Sequence, residues 1–391
     1  MIPKVSVVIP CYNMEKYLRK CMDSVVNQTL RDIQIICIND GSTDNTLAIL
    51  QEYAGKDDRI QIVDKENTGY GSSVNRGFDL AEGEYLGIVE SDDFAEPHMF
   101  ETLYRAAKAE DADVVKAGYY QYATHPEEKN VPTHSPVRIA GKKIFCPMTD
   151  LTEPLKMSGF FAIRPAVWSA IYRKTFIREN GIRFNETPGA SYQDVGFCFK
   201  VWTKAKRVKL VDEFLLHYRV DNMQSSIHSS GKVYAICDEF REVERFLREN
   251  PRERQIVMPV MSHVKYSFYL WNYERLTPSL QEEFLERFHE EFKQHSAEGT
   301  LRREYFFWYD WNNLQKILLD PKRYHELQLK KNTGQQVEDF YDAYPSHRPV
   351  RNRFLYFLVE NLVGGLKYIY SEGIGATIML FAEKIKKRIS K

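Results

Sequence analysis

Acidic side chains are crowded into the tetrapeptide Glu90-Ser91-Asp92-Asp93, which directly follows the apolar run 85–89. Carboxylates that emerge together at the end of a strand repel one another, and a hard divalent cation would relieve that repulsion. Mg²⁺ or Mn²⁺ held by one or two carboxylates, with diphosphate and water completing its shell, is the usual arrangement at phosphate-bearing substrates. The alternative is structural, because Ser91 or Asp92 could cap a helix that begins near Glu96.

Polar residues also follow the first two apolar runs of the chain. Pro10, Tyr12 and Asn13 come after the run 5–9, and they offer an aromatic ring on which a nucleotide base can stack. Asp40 ends the run 33–38, where its carboxylate could accept the N–H of a uracil or thymine base. Taken singly, each of these features is more often a turn or a helix cap.

The third apolar run, 60–63, is followed by Asn67 and Gly69, and a glycine there lets the backbone approach a ligand closely. Asn75 and Arg76 lie on the next helical segment, and a guanidinium group is well suited to phosphate. Polar clusters at the ends of successive runs are hard to explain by chance, so together they indicate a nucleotide site.

The apolar runs alternate with helical patterns at residues 15–27, 46–53 and 72–81. Strands that are apolar almost throughout are typical of a sheet covered by helices on both faces. The pattern therefore predicts an α/β fold with a doubly wound, mostly parallel sheet, in which ligands bind at the carboxyl ends of the strands.

The rest of the chain is less regular. Residues 120–160 are rich in Pro and His and are predicted to form a long loop or insertion, and residues 161–220 return to mixed structure. From about residue 230 the pattern is mainly helical and aromatic. We therefore predict a nucleotide-binding catalytic domain over 1–230 and a helical C-terminal domain over 231–391.

The first 120 residues resemble the inverting glycosyltransferases of family 2, which have the GT-A fold. The matching segments are residues 5–13, 38–44, 67–69, 75–77 and 90–93. The resemblance implies that Tyr12 and Asp40 hold the base of a nucleotide-sugar and that Asn67 and Arg76 lie along this donor. It also implies that Asp92 is the metal ligand, as the last acid of an Asp-x-Asp motif whose first acid is here Glu90.

The same resemblance implies a catalytic base at Asp194, where the family usually presents a Glu-Asp pair and this chain has Gln193-Asp194. The alternative for Asp194 is a helix cap. A later segment resembles the one that closes over the donor diphosphate. There Arg219 could neutralise phosphate, and His217 or His228 could complete the metal shell, although a packed or surface histidine is the alternative for each.

Composition narrows the function classes. The 54 basic and 54 acidic residues cancel, so no overall field favours nucleic acid as a partner. The N-terminus lacks the pattern of a signal peptide, and no apolar stretch approaches the length of a membrane span, so we expect a cytoplasmic protein. Six cysteines without paired spacing indicate reduced thiols.

The C-terminal part leaves two questions open. Apolar residues recur at helical spacing over 354–369 and 374–389, and Lys and Arg side chains surround the second stretch. Such a basic amphipathic helix can lie on the inner face of the cell membrane, while packing onto the protein or a second subunit of a homo-oligomer is the alternative. The aromatic segments 266–273 and 305–311 indicate either helical core packing or a sugar-stacking wall.

The expected function is metal-dependent transfer of a sugar from a nucleotide-sugar, favoured as a UDP-sugar, to a hydroxyl of a glycan or lipid-linked glycan. A nucleotidyltransferase or a nicotinamide dehydrogenase would require a glycine-rich turn after the first strand, and residues 10–13 do not provide one. A donor-binding module or scaffold with weak turnover remains the non-enzymatic alternative, favoured by Glu90 and Gln193.

Overall fold

The computed structural model describes residues 2–133, 144–222 and 233–349. The chain divides into two compact units. The first comprises Met1–Ser229 and Cys237–Gln255, and the second comprises Ser230–Ile236 and Ile256–Lys391. His228 and the C-terminal stretches 354–369 and 374–389, for which the sequence suggests ligand or membrane contacts, lie outside the described residues.

One mixed sheet forms the centre of the first unit. Its strands are β1 (Val5–Cys11), β2 (Ile33–Asp40), β3 (Ile60–Lys65), β4 (Tyr85–Ile88), β5 (Phe94–Ala95), β6 (Val114–Ala123), β7 (Lys129–Pro132), β8 (Ile144–Phe145), β9 (Ala170–Arg173) and β10 (Val208–Arg219). They are arranged in the order β3-β2-β1-β4-β9-β6-β10-β5, with β7 beside β6 and β8 beside β10. Strands β3, β2, β1 and β4 are parallel, whereas β9 runs antiparallel to β4 and β6.

Helices of the first unit follow the strands in turn. They are α1 (Leu18–Val26), α2 (Thr46–Ala54), α3 (Tyr70–Leu80), α4 (Met99–Ala109), α5 (Pro147–Asp150), α6 (Pro154–Phe161), α7 (Lys174–Glu179), α8 (Gln193–Lys204) and α9 (Ala235–Glu249). Helix α9, which the sequence analysis placed in the C-terminal domain, belongs to the first unit from Cys237 onward. Every residue of β1 is buried, as expected for a strand covered on both faces. The predicted fold class, a GT-A sheet followed by a mainly helical region, is confirmed.

The first strand extends beyond its apolar run, and residues 120–160 correspond to the insertion alternative and not to a long loop. Pro10 does not end the first strand but lies within it, paired in register with Ile38 of β2. Strand β4 ends at Ile88, so β1 has a single sheet neighbour at Pro10, and a residue without an N–H is tolerated there. Residues 120–160 are not a plain loop, because they contain β7, β8, α5 and α6. Two prolines of this stretch, Pro147 and Pro154, begin α5 and α6.

The second unit is helical. Its helices are α10 (Pro251–Arg275, which enters this unit at Ile256), α11 (Pro278–Ala297), α12 (Trp308–Leu319) and α13 (Pro321–Asn332). Tyr266 and Tyr269 of α10 are fully buried, and their rings meet Phe288 and Phe292 of α11 edge to face. Core packing is thus the role of these aromatic residues. Within the described ranges, no helix combines the length and apolar character needed to cross a membrane.

Candidate active site

The loops after β1 and β2 are tied together by Asn13. Its Oδ1 accepts the backbone N–H of Thr43 at 2.8 Å, and its own N–H donates to Oγ of Ser42 at 3.0 Å. Asn13 has a φ of 53°, which asparagine tolerates better than most residues. The neighbouring Tyr12 is 48% exposed, so its ring is available to a ligand at this edge of the sheet.

Asp40 is buried and fully engaged by the protein. Its Oδ1 accepts the Thr68 N–H at 2.9 Å and its Oδ2 accepts the Gly69 N–H at 3.0 Å. The ammonium group of Lys65 also pairs with Oδ1. These bonds fix the course of the loop after β3, so Asp40 shapes the backbone around the site and its charge is balanced locally.

The carboxylates of residues 90–93 lie in a different environment. Burial raises the pKa of Glu90 to about 8, although Tyr70 donates to its Oε1 at 2.7 Å and favours the charged form. The pKa of Asp92 is also raised by burial, against the opposing effect of the 2.7 Å hydrogen bond from Asn222 Nδ2 to its Oδ2. The negative charge at this point is therefore poorly compensated by the protein.

Asp93 is the most deeply buried of the three acids. Its Oδ1 accepts the Arg219 N–H at 2.8 Å, its Oδ2 is buried with no hydrogen-bond partner among the residues that the structure describes, and burial raises its pKa well above the ordinary value. Ser91 is also buried, next to the thiol of Cys11. Neither Ser91 nor Asp92 caps a helix, because α4 begins only at Met99 and has no side-chain cap.

Arg219 is committed to protein contacts. Its Nε donates to the Asp92 carbonyl at 3.1 Å, its Nη1 pairs with Asp221 at 3.1 Å, and its guanidinium lies 4.5 Å from the ring centroid of Tyr17. This buried guanidinium therefore fixes the backbone of the acidic tetrapeptide. A direct contact with phosphate stays a prediction.

His217 is packed. Its Nε2 lies 2.7 Å from Glu96 Oε1, its Nδ1 lies 2.9 Å from Asn130 Oδ1, and its ring stacks on Phe94 at 4.2 Å. Both ring nitrogens are thus engaged by the protein. The structure corresponds to the packed-histidine alternative.

The predicted donor residues near helix α3 separate into exposed and buried members. Asn67 and Arg76 are exposed, so each is accessible to a ligand. Asn75 is buried and holds the backbone at Phe184. Its Nδ2 donates to the Phe184 carbonyl at 2.9 Å, and its Oδ1 accepts the Phe184 N–H at 3.0 Å. Asn75 thus positions backbone, and its predicted donor contact stays a prediction.

Gly69 brings the two halves of the site into backbone contact. It has a φ of 96°, and a Cβ added there would lie 2.7 Å from both the Gly189 nitrogen and the Thr187 carbonyl oxygen. The next residue, Tyr70, donates its N–H to the Gly189 carbonyl at 2.9 Å. The loop before helix α8 is therefore packed directly against the start of helix α3.

Gln193 explains the departure from the Glu-Asp pair. Its Nε2 donates to Oγ1 of Thr187 at 2.9 Å and to the Gly189 carbonyl at 3.2 Å, while its Oε1 accepts the Ser191 N–H. A glutamate could accept the Ser191 N–H but could not donate to the carbonyl. The amide therefore holds the loop that precedes Asp194.

Asp194 lies in the first turn of α8. Its Oδ1 accepts the N–H of the adjacent Val195 at 2.9 Å, and the helix has no side-chain cap. Burial raises its pKa to about 6, and the charge of Arg164 opposes that rise. Asp194 in turn raises the pKa of Glu90, so the two carboxyl groups lie within electrostatic range of each other. Such a carboxylate is suited to accept a proton near neutral pH.

Arg164 was missed by the sequence analysis. Its guanidinium lies 4.7 Å from the centroid of the Tyr218 ring, which stacks on Trp168 at 4.9 Å, and the Arg164 side chain is exposed. Arg164 lies in the stretch predicted to be irregular or mixed, and no motif distinguishes it. In the structure, Arg164 is a cation whose charge acts on Asp194.

Glu239 of α9 was also missed. It is buried, its Oε1 accepts from Asn185 Nδ2 at 3.0 Å, and burial raises its pKa to about 8. The charge of Asp194 adds to this rise. The amphipathic pattern of α9 does not predict that this acid lies within electrostatic range of Asp194.

A divalent cation fits the Glu90–Asp92 region on electrostatic grounds. Both carboxyl groups have raised pKa values because burial disfavours their charged forms, and a cation would reverse that penalty. Across residues 2–133, 144–222 and 233–349, His, Cys, Asp and Glu side chains do not gather in threes as a metal cage. Few protein ligands are the usual arrangement for Mg²⁺ at substrate phosphates.

Comparison with known proteins agrees with this geometry. The model of the family "Glycosyl transferase family 2" matches residues 6–171. EpsJ, an uncharacterized glycosyltransferase of Bacillus subtilis, is 33% identical over 219 residues, which cover 56% of this chain and 62% of EpsJ. EpsH of the same organism is 31% identical over 261 residues, which cover 63% of this chain and 73% of EpsH.

A solved structure is also similar. The 1–349 fragment of S. aureus TarS in complex with UDP-GlcNAc matches with a TM-score of 0.50 and 17% identity, over 86% of this chain and 93% of that fragment. At this identity the likeness concerns the fold alone. The sequence matches, together with the arrangement of acids at the strand ends, show that the chain belongs to glycosyl transferase family 2.

Proposed function

We propose that this chain is an inverting glycosyltransferase that moves one sugar from a UDP-sugar, with Mn²⁺ or Mg²⁺, to a hydroxyl of a glycan or lipid-linked glycan. The observation that carries the proposal is the electrostatic coupling of Asp194 to Glu90, and of Glu90 to Asp92. A candidate base and a candidate metal ligand, far apart in sequence, thus both act on the charge of Glu90. The proposed transfer would use one of them to activate the acceptor and the other to hold the cation.

Asp194 is the proposed general base. It takes the proton of the acceptor hydroxyl as that oxygen attacks the anomeric carbon on the face opposite the leaving diphosphate, so the configuration inverts. A pKa of about 6 leaves Asp194 mostly ionised at neutral pH, yet more basic than an ordinary aspartate. Both properties are what a general base requires.

Tyr12 and the loop after β3 are the proposed donor contacts. The exposed ring of Tyr12 offers a stacking surface for the base, and Asp40 fixes the course of the loop by accepting the Thr68 and Gly69 amides. Asn67 and Arg76 are proposed to lie along the donor. UDP is the first nucleotide to test, since the base contacts resemble those of uridine-binding enzymes and TarS was solved with UDP-GlcNAc.

Asp92, with Glu90 beside it, would hold the cation. The metal would stabilise the charge that develops on the leaving diphosphate. Asp93 and Arg219 contribute by fixing the backbone that carries Asp92, through the 2.8 Å and 3.1 Å hydrogen bonds described above.

A screen of UDP-, dTDP- and GDP-sugars for donor hydrolysis and for transfer, with Mn²⁺, Mg²⁺ or excess chelator, tests the proposal. We expect hydrolysis of at least one UDP-sugar that requires the metal. The rival is a donor-binding module with weak turnover, for which Glu90 in place of Asp is the specific observation. Binding of UDP-sugar without hydrolysis or transfer in any condition would favour that rival.

Location at a membrane is proposed from sequence alone, because residues 350–391 lie outside the described residues. We propose a cytoplasmic protein that binds anionic membranes reversibly through its basic amphipathic C-terminus, next to a lipid-linked acceptor. Flotation with anionic and neutral vesicles should recover the full chain, and not a chain that ends at residue 349, with anionic lipid at low salt. Equal recovery of the two proteins would contradict this role and favour packing or a homo-oligomer contact.

A further inference from the structure

The helical unit contains a cleft of its own, with a volume of about 540 Å³. This is within the usual range for sites that bind small organic molecules. Its walls come from α10, α11, α12 and α13, so residues far apart in sequence form it together. Residues that line it include Tyr266, Trp271, Glu274, Tyr309, Asn313 and Gln328.

The floor of the cleft is fixed by hydrogen bonds between its walls. Asn313 Nδ2 donates to the hydroxyl groups of Tyr266 at 3.1 Å and of Tyr324 at 3.0 Å. Gln281 Nε2 donates to the Tyr273 carbonyl at 3.1 Å. These bonds link all four helices, so a ligand would bind to a largely preformed surface at a low entropic cost.

The indole ring of Trp271 lines the cleft. Trp271 is 42% exposed, which is unusual for the largest aromatic side chain, and Tyr309 lines the same cleft while half-buried. The guanidinium of Arg275 lies 5.3 Å from the centroid of the Trp271 ring, and the part of the indole that stays exposed favours a ligand with a flat apolar face.

The polar lining restricts the class of ligand. Gln328 and Asn332 carry amide groups, which both donate and accept hydrogen bonds. Acidic and basic groups are mixed, with Glu274 and Asp310 against Lys331, so the lining has no cationic surplus for phosphate. A lipid chain is disfavoured as well, because polar side chains such as Asn313 form the floor.

We propose that this cleft binds a short neutral saccharide, with one sugar ring stacked on Trp271. A pyranose ring has one face of C–H groups, which suits the indole, and a rim of hydroxyl groups, which suits the amides of Gln328 and Asn332. This binding needs no transfer chemistry and goes beyond the proposed function. It gives the protein a second carbohydrate contact, within the helical unit.

The test is ligand-observed saturation-transfer NMR on the full chain with neutral tetrasaccharides: cellotetraose, maltotetraose, mannotetraose and chitotetraose. We expect at least one to bind with a Kd on the order of 1 mM, which is typical of a weak small-ligand contact. Trp271→Ala should weaken that binding at least about tenfold. Trp271→Tyr, which keeps an aromatic face, should retain most of it.

Phe307→Ala is the matched control, because Phe307 is an exposed aromatic residue of the same unit outside the residues that line the cleft. Gln328→Ala is a second variant, expected to weaken binding without altering the aromatic surface. Failure of all four sugars to bind would overturn the proposal, as would native-strength binding by Trp271→Ala or an equal loss in Phe307→Ala. Donor hydrolysis, measured in parallel, reports on the proposed function separately.

Discussion

Two groups of acids at the same edge of the sheet are treated differently by the protein. Asp40 at the end of β2 is paired with Lys65 and accepts two backbone N–H groups. Glu90 and Asp92, just after β4, are half-buried, and their carboxylates accept hydrogen bonds from the neutral groups of Tyr70 and Asn222. Burial raises the pKa of both acids, and these hydrogen bonds, with the charge of Arg219 near Asp92, oppose the rise only in part.

The difference separates a carboxylate that builds the site from carboxylates that are left for a ligand. An ion whose charge is balanced within the protein stabilises the fold, whereas buried acids without a cation cost folding free energy. We therefore expect substitution of Asp40 to lower stability, and substitution of Glu90 or Asp92 to lower activity.

The largest effect is expected for Asp194→Asn, which keeps the shape of the side chain but cannot accept the acceptor's proton. Loss of a general base typically costs about 10²–10⁴-fold in rate. UDP affinity, measured by calorimetry, should stay close to native because the base faces the acceptor. Asp212→Asn, an exposed change in the same unit, is the control. Lost UDP binding with normal transfer by the bound fraction would assign Asp194 to the donor pocket instead.

Asp92→Asn should lower transfer by about two orders of magnitude or more, roughly 3 kcal/mol of transition-state stabilisation, because the charge that offsets the cation is removed. Its stability should not fall, since burial already disfavours the charged form of Asp92. Rates with and without chelator, beside those of the exposed control Asp58→Asn, measure the effect. Full activity of Asp92→Asn, or of native protein in excess chelator, would refute the metal assignment.

Asp40→Asn is expected to destabilise the protein by about 1–3 kcal/mol, because Lys65 and one of the two loop amides would lose a charged partner. The midpoint of urea unfolding measures this loss, with Asp92→Asn as the matched comparison. Equal stability of the two variants would show that the two groups of acids do not differ as described.

The smallest effect concerns pH. Transfer should rise as pH increases through about 6, where Asp194 loses its proton, and level off about one unit higher. Arg164 favours the charged form of Asp194, so Arg164→Gln should move this limb to higher pH. Initial rates from pH 5 to 9, roughly the range in which such a base titrates, test both statements. A limb that stays in place in Arg164→Gln would contradict the coupling.

The donor half of the site was largely accessible from sequence. Parallel strands bring their carboxyl ends to one edge, so Tyr12, Asp40 and Asp92 could be grouped from the order of apolar runs alone. The parallel register of β1 and β2 places Cys11 beside Asn39, so the two strands end next to each other as predicted. The sequence did not reveal how differently the protein balances the charge of Asp40 and the charges of Glu90 and Asp92.

The acceptor half was not accessible in the same way. Arg164 lies in the segment between α6 and β9, and Tyr218 lies in β10, so their 4.7 Å contact joins parts of the chain that are far apart in sequence. Glu239 reaches the region from a helix whose amphipathic pattern records only that one face is buried. Contacts of this kind depend on tertiary packing, which residue spacing does not encode.

The close approach at Gly69 has a consequence for recombination between relatives. No side chain fits between Gly69 and the Thr187–Gly189 backbone, and Gly71 is equally restricted by the Asn185 carbonyl. In a chimera, the segment around Gly69 and Gly71 could come from one family member and the 185–189 loop from another. The two backbones would then have to keep the native distance, because one added methyl group already clashes. A segment exchanged as a block should therefore include everything from Gly69 to Gly189, and crossovers between these points should yield misfolded or inactive products.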